Sequence, residues 1–187
     1  MFRNIISPLV NTEEQSRIAA AQKDPKHFRY FYDRHYKEIF LFIYRRTDDE
    51  ELSADIAQQV FLKAMQGIDR FIYRGIPFSA WLYRIASNEV MQHFRDQQKF
   101  RIVSIENEGV NEIMDEDYGH LEVAKREALF AAIKKLNATD LELIEMRFFE
   151  KRSFKEIGDI KGITENNAKV KVHRILERIR NLITVAV

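Results

Sequence analysis

Residues 164–180, TENNAKVKVHRILERIR, gather side chains suited to binding rather than to bond making. Asparagine amides offer a donor beside an acceptor, guanidinium groups offer a rigid fork of donors, and lysines offer a mobile charge. On a helix turning about 100° per residue, Ala168, Val172, Ile175, Leu176 and Ile179 form one apolar stripe. Asn166, Asn167, Val170, His173, Arg174 and Arg178 occupy the opposite side, with Lys169 and Lys171 on its flanks. Such a face suits a helix in the major groove of duplex DNA. Asparagine pairs with adenine, arginine with guanine, and valine meets a thymine methyl, while lysines reach phosphates. Arg147, Lys151, Arg152 and Lys155 add charge just before it, where a first helix would cross the backbone. The plain alternative is a solvated basic face, or one that binds an acidic protein. An isolated surface histidine such as His173 is more often a bystander than a base reader.

A second constellation is RFIYRGIPFSAW, residues 70–81, in which Phe71, Tyr73, Phe78 and Trp81 alternate with Arg70 and Arg74. Unstacked bases rest on aromatic rings while guanidinium groups hold phosphates, so this composition fits a single-strand platform. The competing reading puts Phe78 and Trp81 in the core, since their spacing is helical.

Catalysis finds no comparable constellation. The five histidines have no HExxH partner and the chain has no cysteine, so no metal site is expected. There is no glycine-rich phosphate loop and no G-x-S-x-G. The carboxylates are densest in a polar strip without an apolar pocket to shift their pKa values. Neither a catalytic group nor a cofactor is expected.

The elements that must position these side chains read as helices. Only 3 prolines and 6 glycines interrupt 187 residues, and no strand-like alternation stands out. Thr12 to Gln15 reads as a capping-box start, and Asp24-Pro25 breaks the chain after it. Helical spacing then predicts helices over 26–47, 52–68 with Ser53 as its cap, and 80–98, with a loop over 71–79 marked by Gly75 and Pro77. Further on come a helix over 121–136, one capped by Thr139 and Glu142, one capped by Ser153 and Glu156, and the Thr164-capped helix above. Capped starts in quick succession, with Gly162 at the last break, are the rhythm of a helix-turn-helix.

Charge divides the chain further. The formal net charge of +1 hides an excess of basic residues at both ends and a strip, residues 105–120, with six acids and no Lys or Arg. The expected organisation is therefore two small helical domains, 1–103 and 121–187, joined by an acidic linker over 104–120. No window approaches the ~18 apolar residues of a membrane span, so no membrane insertion is expected. The N-terminus lacks the pattern of a secretory signal. Absence of cysteine fits a reducing cytoplasm.

Three blocks, ADIAQQVFLKAM, FSAWLYRIASNEV and DLELIEMRFFEKRSFKEIGDIKGITENNAKVKVHRILERI, resemble bacterial RNA polymerase sigma factors of the small extracytoplasmic-function (ECF) type. These keep only a σ2 and a σ4 domain. The resemblance covers about residues 20–100 and 121–183. It implies an all-α chain with a σ2-like helical bundle and a σ4-like helix-turn-helix. It implies that Asp55, Gln58, Gln59, Phe61 and Lys63 dock on a coiled coil of the polymerase. Phe71, Tyr73, Arg74 and Phe78 would hold a base flipped from the melted −10 element, and Asn88 would bind the same strand. The helix over 164–180 would read the −35 duplex. The partners implied are core RNA polymerase, promoter DNA and an anti-sigma factor.

Several positions depart from the usual pattern. Gln59 stands for a common Glu, Gln92 for an Asp, Ser87 for an Arg, Asn137 for a Pro, Lys161 for a Leu and Ala168 for a Val. The competing functions are a stand-alone helix-turn-helix regulator with an N-terminal sensor or dimerisation unit, and a helical adaptor that binds only proteins.

Overall fold

The computed structural model describes residues 12–96 and 123–186, and every regular element among them is helical. The expected linker, 104–120, lies outside the described residues. The chain divides into two compact units, Met1–Ile102 and Val103–Val187.

In the first unit, α1 (Thr12–Lys23) is followed by a 3-10 turn (Pro25–Phe28), α2 (Arg29–Thr47), α3 (Glu50–Gly67), a second 3-10 turn (Ile68–Arg70) and α4 (Phe78–Asp96). Asp24 accepts from the Lys26 amide and Pro25 sits at the first helical position, so the Asp24-Pro25 break is a capped turn. The expected Ser53 cap is corrected. Asp49 caps α3 by accepting from the Leu52 amide, and Ser53 is buried one turn inside. Its hydroxyl lies 2.6 Å from that of Thr47 and donates to the Asp49 carbonyl, tying the α2–α3 corner. Helices α2, α3 and α4 pack on one another around Phe31, Ile39, Ile43, Val60, Leu82 and Ala86.

The second unit holds α5 (Val123–Lys134), α6 (Ala138–Ile144) continued by a π turn (Glu145–Phe149), α7 (Phe154–Lys161) and α8 (Glu165–Ala186). The expected Thr139–Glu142 capping box does not form. Asn137 caps α6 by accepting from the Asp140 amide, and Glu142 is buried against Lys161 at 2.8 Å. Asn137 and Lys161, two of the departures noted above, thus each carry a specific bond. The Ser153–Glu156 box is present, and Thr164 accepts from the Asn167 amide at 3.2 Å as expected.

Gly162 ends α7 in the left-handed region at φ 69°, which a side chain would strain. Gly158 matters through proximity instead. A Cβ there would lie 2.7 Å from the Ile163 carbonyl oxygen, so α7 meets the turn before α8 at a distance only glycine permits.

Candidate nucleic-acid interface

Helix α8 is placed by its apolar stripe. Ala168, Val172, Ile175, Leu176 and Ile179 are all buried, packed against α5, α6 and α7. That burial turns Asn166, Asn167, Lys169, Val170, Lys171, His173, Arg174 and Arg178 outward, and all eight are exposed. An exposed valine among amides and cations is the combination that reads a thymine methyl beside polar edges. His173 lies beside Phe154, ring centroids 6.4 Å apart.

Not every cation in this unit faces outward with its charge uncommitted. Arg178 donates to Asp140 at 2.6 Å, so the carboxylate that accepts from the Asn137 side chain at the start of α6 also holds one end of the face. Arg147 lies with its guanidinium 4.9 Å from the Phe154 ring centre, and Arg152 is ion-paired with Glu150 at 2.7 Å. Both are part-buried, so their expected role as backbone charges gives way to holding the corner between the π turn and α7.

The first unit presents the loop 71–77 between the second 3-10 turn and α4. Gly75 takes φ 77° with open space around it, which lets the chain reverse. Tyr73 is half-buried, while Ile72 and Arg74 are exposed, Ile72 by 68%. Phe71 is half-buried, 4.8 Å from Trp81 and 5.3 Å from Phe78 between ring centroids. Phe78 requires correction, because it is 0% exposed. Its ring sits among Phe28, Phe31, Phe71 and Trp81, leaving no face on which a base could stack. Asn88 is exposed on α4.

Along α3, Asp55, Gln58 and Gln59 are exposed. Lys63 is exposed and ion-paired with Glu89 of α4 at 2.7 Å, so its charge links the two helices next to Asn88. Phe61 is corrected in the same way as Phe78. It is 3% exposed and packs against Tyr32 and Tyr36, so it supports this surface from beneath.

Sequence reasoning missed Gln22 and Glu14, whose side chains reach the two ends of the 71–77 loop from α1. No local signal marks such contacts, since the partners lie 46 to 64 residues away.

Among the described residues no group of three His, Cys, Asp or Glu side chains could hold a metal ion. No helix among them is long and apolar enough to cross a membrane.

Comparison with known proteins agrees with this geometry. Residues 31–100 match the Sigma-70 region 2 model and residues 132–181 the Sigma-70 region 4 model. The RNA polymerase sigma factor YlaC of Bacillus subtilis is 31% identical over 156 residues, 81% of this chain and 89% of that protein. The ECF RNA polymerase sigma factor BldN of Streptomyces coelicolor is 28% identical over 169 residues, covering 89% of this chain but 63% of that longer protein. The solved structure of CnrH in complex with the cytosolic domain of CnrY shares the fold, with a TM-score of 0.57 and 18% identity over 92% of this chain and 97% of that one. Two helical units in this order, each matched by its own region model, place the chain in the sigma-70 family of RNA polymerase sigma factors, among those of the ECF type.

Proposed function

We propose that this chain acts in the cytoplasm as a dissociable subunit of RNA polymerase, directing the core enzyme to particular promoters and helping to open them. It carries out no reaction of its own. Through α3 it docks on core polymerase, and through α8 it reads the −35 duplex. The loop 71–77, with Phe71, Tyr73 and Arg74, captures exposed bases of the −10 element, and Asn88 contacts the same strand. Asp55, Gln58, Gln59 and Lys63 form the outer part of the polymerase-docking surface. An anti-sigma factor would control it by covering these surfaces.

The observation that carries this reading is the α8 face. All eight candidate side chains stand exposed on one helix whose opposite stripe is wholly buried. Opening duplex costs about 1.4 kcal/mol of stacking per step. Bases held by the loop offset part of that cost without nucleotide consumption.

Run-off transcription on a promoter library tests the reading. Core polymerase with this protein should give discrete promoter-specific transcripts, while the free protein binds duplex only weakly. If core adds nothing and the free protein alone selects a palindromic duplex, the chain works as a stand-alone regulator instead.

A further inference from the structure

We propose that Gln22 and Glu14 on α1 are positioning residues that set the width of the base-capturing loop 71–77. This rests on the loop's role proposed above and adds a device that fixes its shape.

The Gln22 side-chain nitrogen donates to the Phe71 carbonyl at 2.8 Å and to the Ile68 carbonyl at 2.9 Å. Both partners are acceptors, so the amide nitrogen and not its oxygen must face them, and both of its protons are used. At the far end of the loop, the Glu14 carboxylate accepts from the Phe78 amide at 3.0 Å. That amide opens α4, where a helix leaves unsatisfied donors and favours negative charge.

The two anchors belong to one helical face. Glu14, Ile18, Ala21 and Gln22 follow the spacing of successive turns, and Ile18 and Ala21 between the polar pair are buried. The apolar middle of α1 thus docks it on the unit, and its two polar side chains grip where the loop leaves and where it returns. Between the grips, Ile72, Arg74, Gly75, Ile76 and Pro77 are all exposed, so little packing fixes the loop from outside. Helix α1 also lies before residue 31, where the region 2 match begins, so the brace is built from residues outside that match.

The test uses the full chain bound to core polymerase and a randomised pool of short single-stranded DNA. Gln22→Glu keeps the shape of the side chain but sets a carboxylate against two carbonyls. Glu14→Ala removes the acceptor, whereas Glu14→Gln keeps an oxygen that can accept. Gln22→Glu and Glu14→Ala should each weaken single-strand binding by up to roughly tenfold, the ceiling set by one hydrogen bond that pre-organises the loop. They should also flatten the preference for particular bases, with core affinity unchanged. Glu14→Gln should retain both affinity and preference. The loss of base preference in Glu14→Ala, at temperatures where that variant is fully folded, is what a merely structural role would not predict.

Should Gln22→Glu and Glu14→Ala lower the unfolding temperature yet leave base preference intact below it, the proposal is overturned. If Gln22→Glu fails to fold, Gln22→Ala with Glu14→Ala decides the matter by the same readouts. Tyr73→Ala and Arg74→Ala separate the two levels. Losses in these loop variants without losses in the brace variants overturn the brace alone. No loss in any of them overturns base capture by the loop and the brace with it.

Discussion

Arg178 illustrates how one residue serves two surfaces. Its guanidinium lies on the exposed face of α8 and is bonded to Asp140 at 2.6 Å. Replacing Asp140 by Asn removes a negative charge beside the basic face and releases that cation. Duplex affinity should rise several-fold and the salt slope steepen by up to about 1 in a fluorescence-anisotropy titration. Arg174 and Lys169 should differ from each other. Arg174→Ala should relax selection at one −35 position, at a cost of about 1–3 kcal/mol against the preferred base. Lys169→Ala should weaken all sequences alike and lower the salt slope by about 1. Equal, sequence-blind losses for both would mean that the helix grips phosphates only.

His35 adds a dependence on pH. Burial lowers its pKa below the ordinary 6.5, with Arg34 acting in the same direction and Glu38 and Glu14 opposing. The folded chain therefore holds fewer protons at this site than the unfolded chain. The stability linked to His35 is full above pH 6.5 and is lost as pH falls from there through the lowered value. Urea unfolding above and below pH 6.5 should show the first unit weakening on the acid side, and His35→Asn should flatten that slope.

Among the elements, the helix-turn-helix depends on one close approach. A side chain at Gly158 would press on the Ile163 carbonyl backbone, which cannot swing away as a flexible side chain can. Gly158→Ala should destabilise the second unit by about 1–3 kcal/mol, the usual cost of overpacking. Calorimetry should show it, and −35 duplex binding should fall while single-strand capture by the first unit persists. The Ser153 cap of α7 brings its own pH limit. Glu156 is held below its ordinary 4.5, first by the Ser153 hydroxyl and then by the Ser153 amide. Its contribution is present above pH 4.5 and is lost as acid protonates the carboxyl.

The caps also show how far local sequence carries. Ser153-x-x-Glu156 is legible because both halves of its bond lie within one turn. Thr139-x-x-Glu142 has the same spelling but fails, because Glu142 is drawn into the interior by Lys161, 19 residues further on. Ser53 fails likewise: Asp49, four residues earlier, caps the helix, and the serine turns inward to Thr47. The family resemblance puts Phe78 and Phe61 on contact surfaces, yet an aromatic ring with apolar neighbours in reach is drawn to them before it serves a ligand.

For the molecule as a whole, charge is apportioned rather than large. A net +1 gives the free protein little general attraction to DNA, although both ends are basic. The six acids of residues 105–120 are what bring the total down. Replacing them with Asn and Gln should raise the free protein's affinity for arbitrary duplex and steepen its salt dependence, measured by filter binding. If that variant binds no better than the parent, the acidic strip does not restrain the basic ends.

From the sequence alone come the helical class, the order of the two units, the stripe that turns α8 and the outward set from Asn166 to Arg178. The helices and their faces follow from repeats and caps spanning a few residues, and the two units from the charge of one short strip, so the physics of each is local. Only the folded chain decides which aromatic rings are core, that Asp140 holds Arg178, and that α1 grips both ends of the 71–77 loop. The polar pairings, Arg178 with Asp140 and α1 with the loop, join residues 38 to 64 positions apart, where many partners are chemically acceptable and three-dimensional packing selects one.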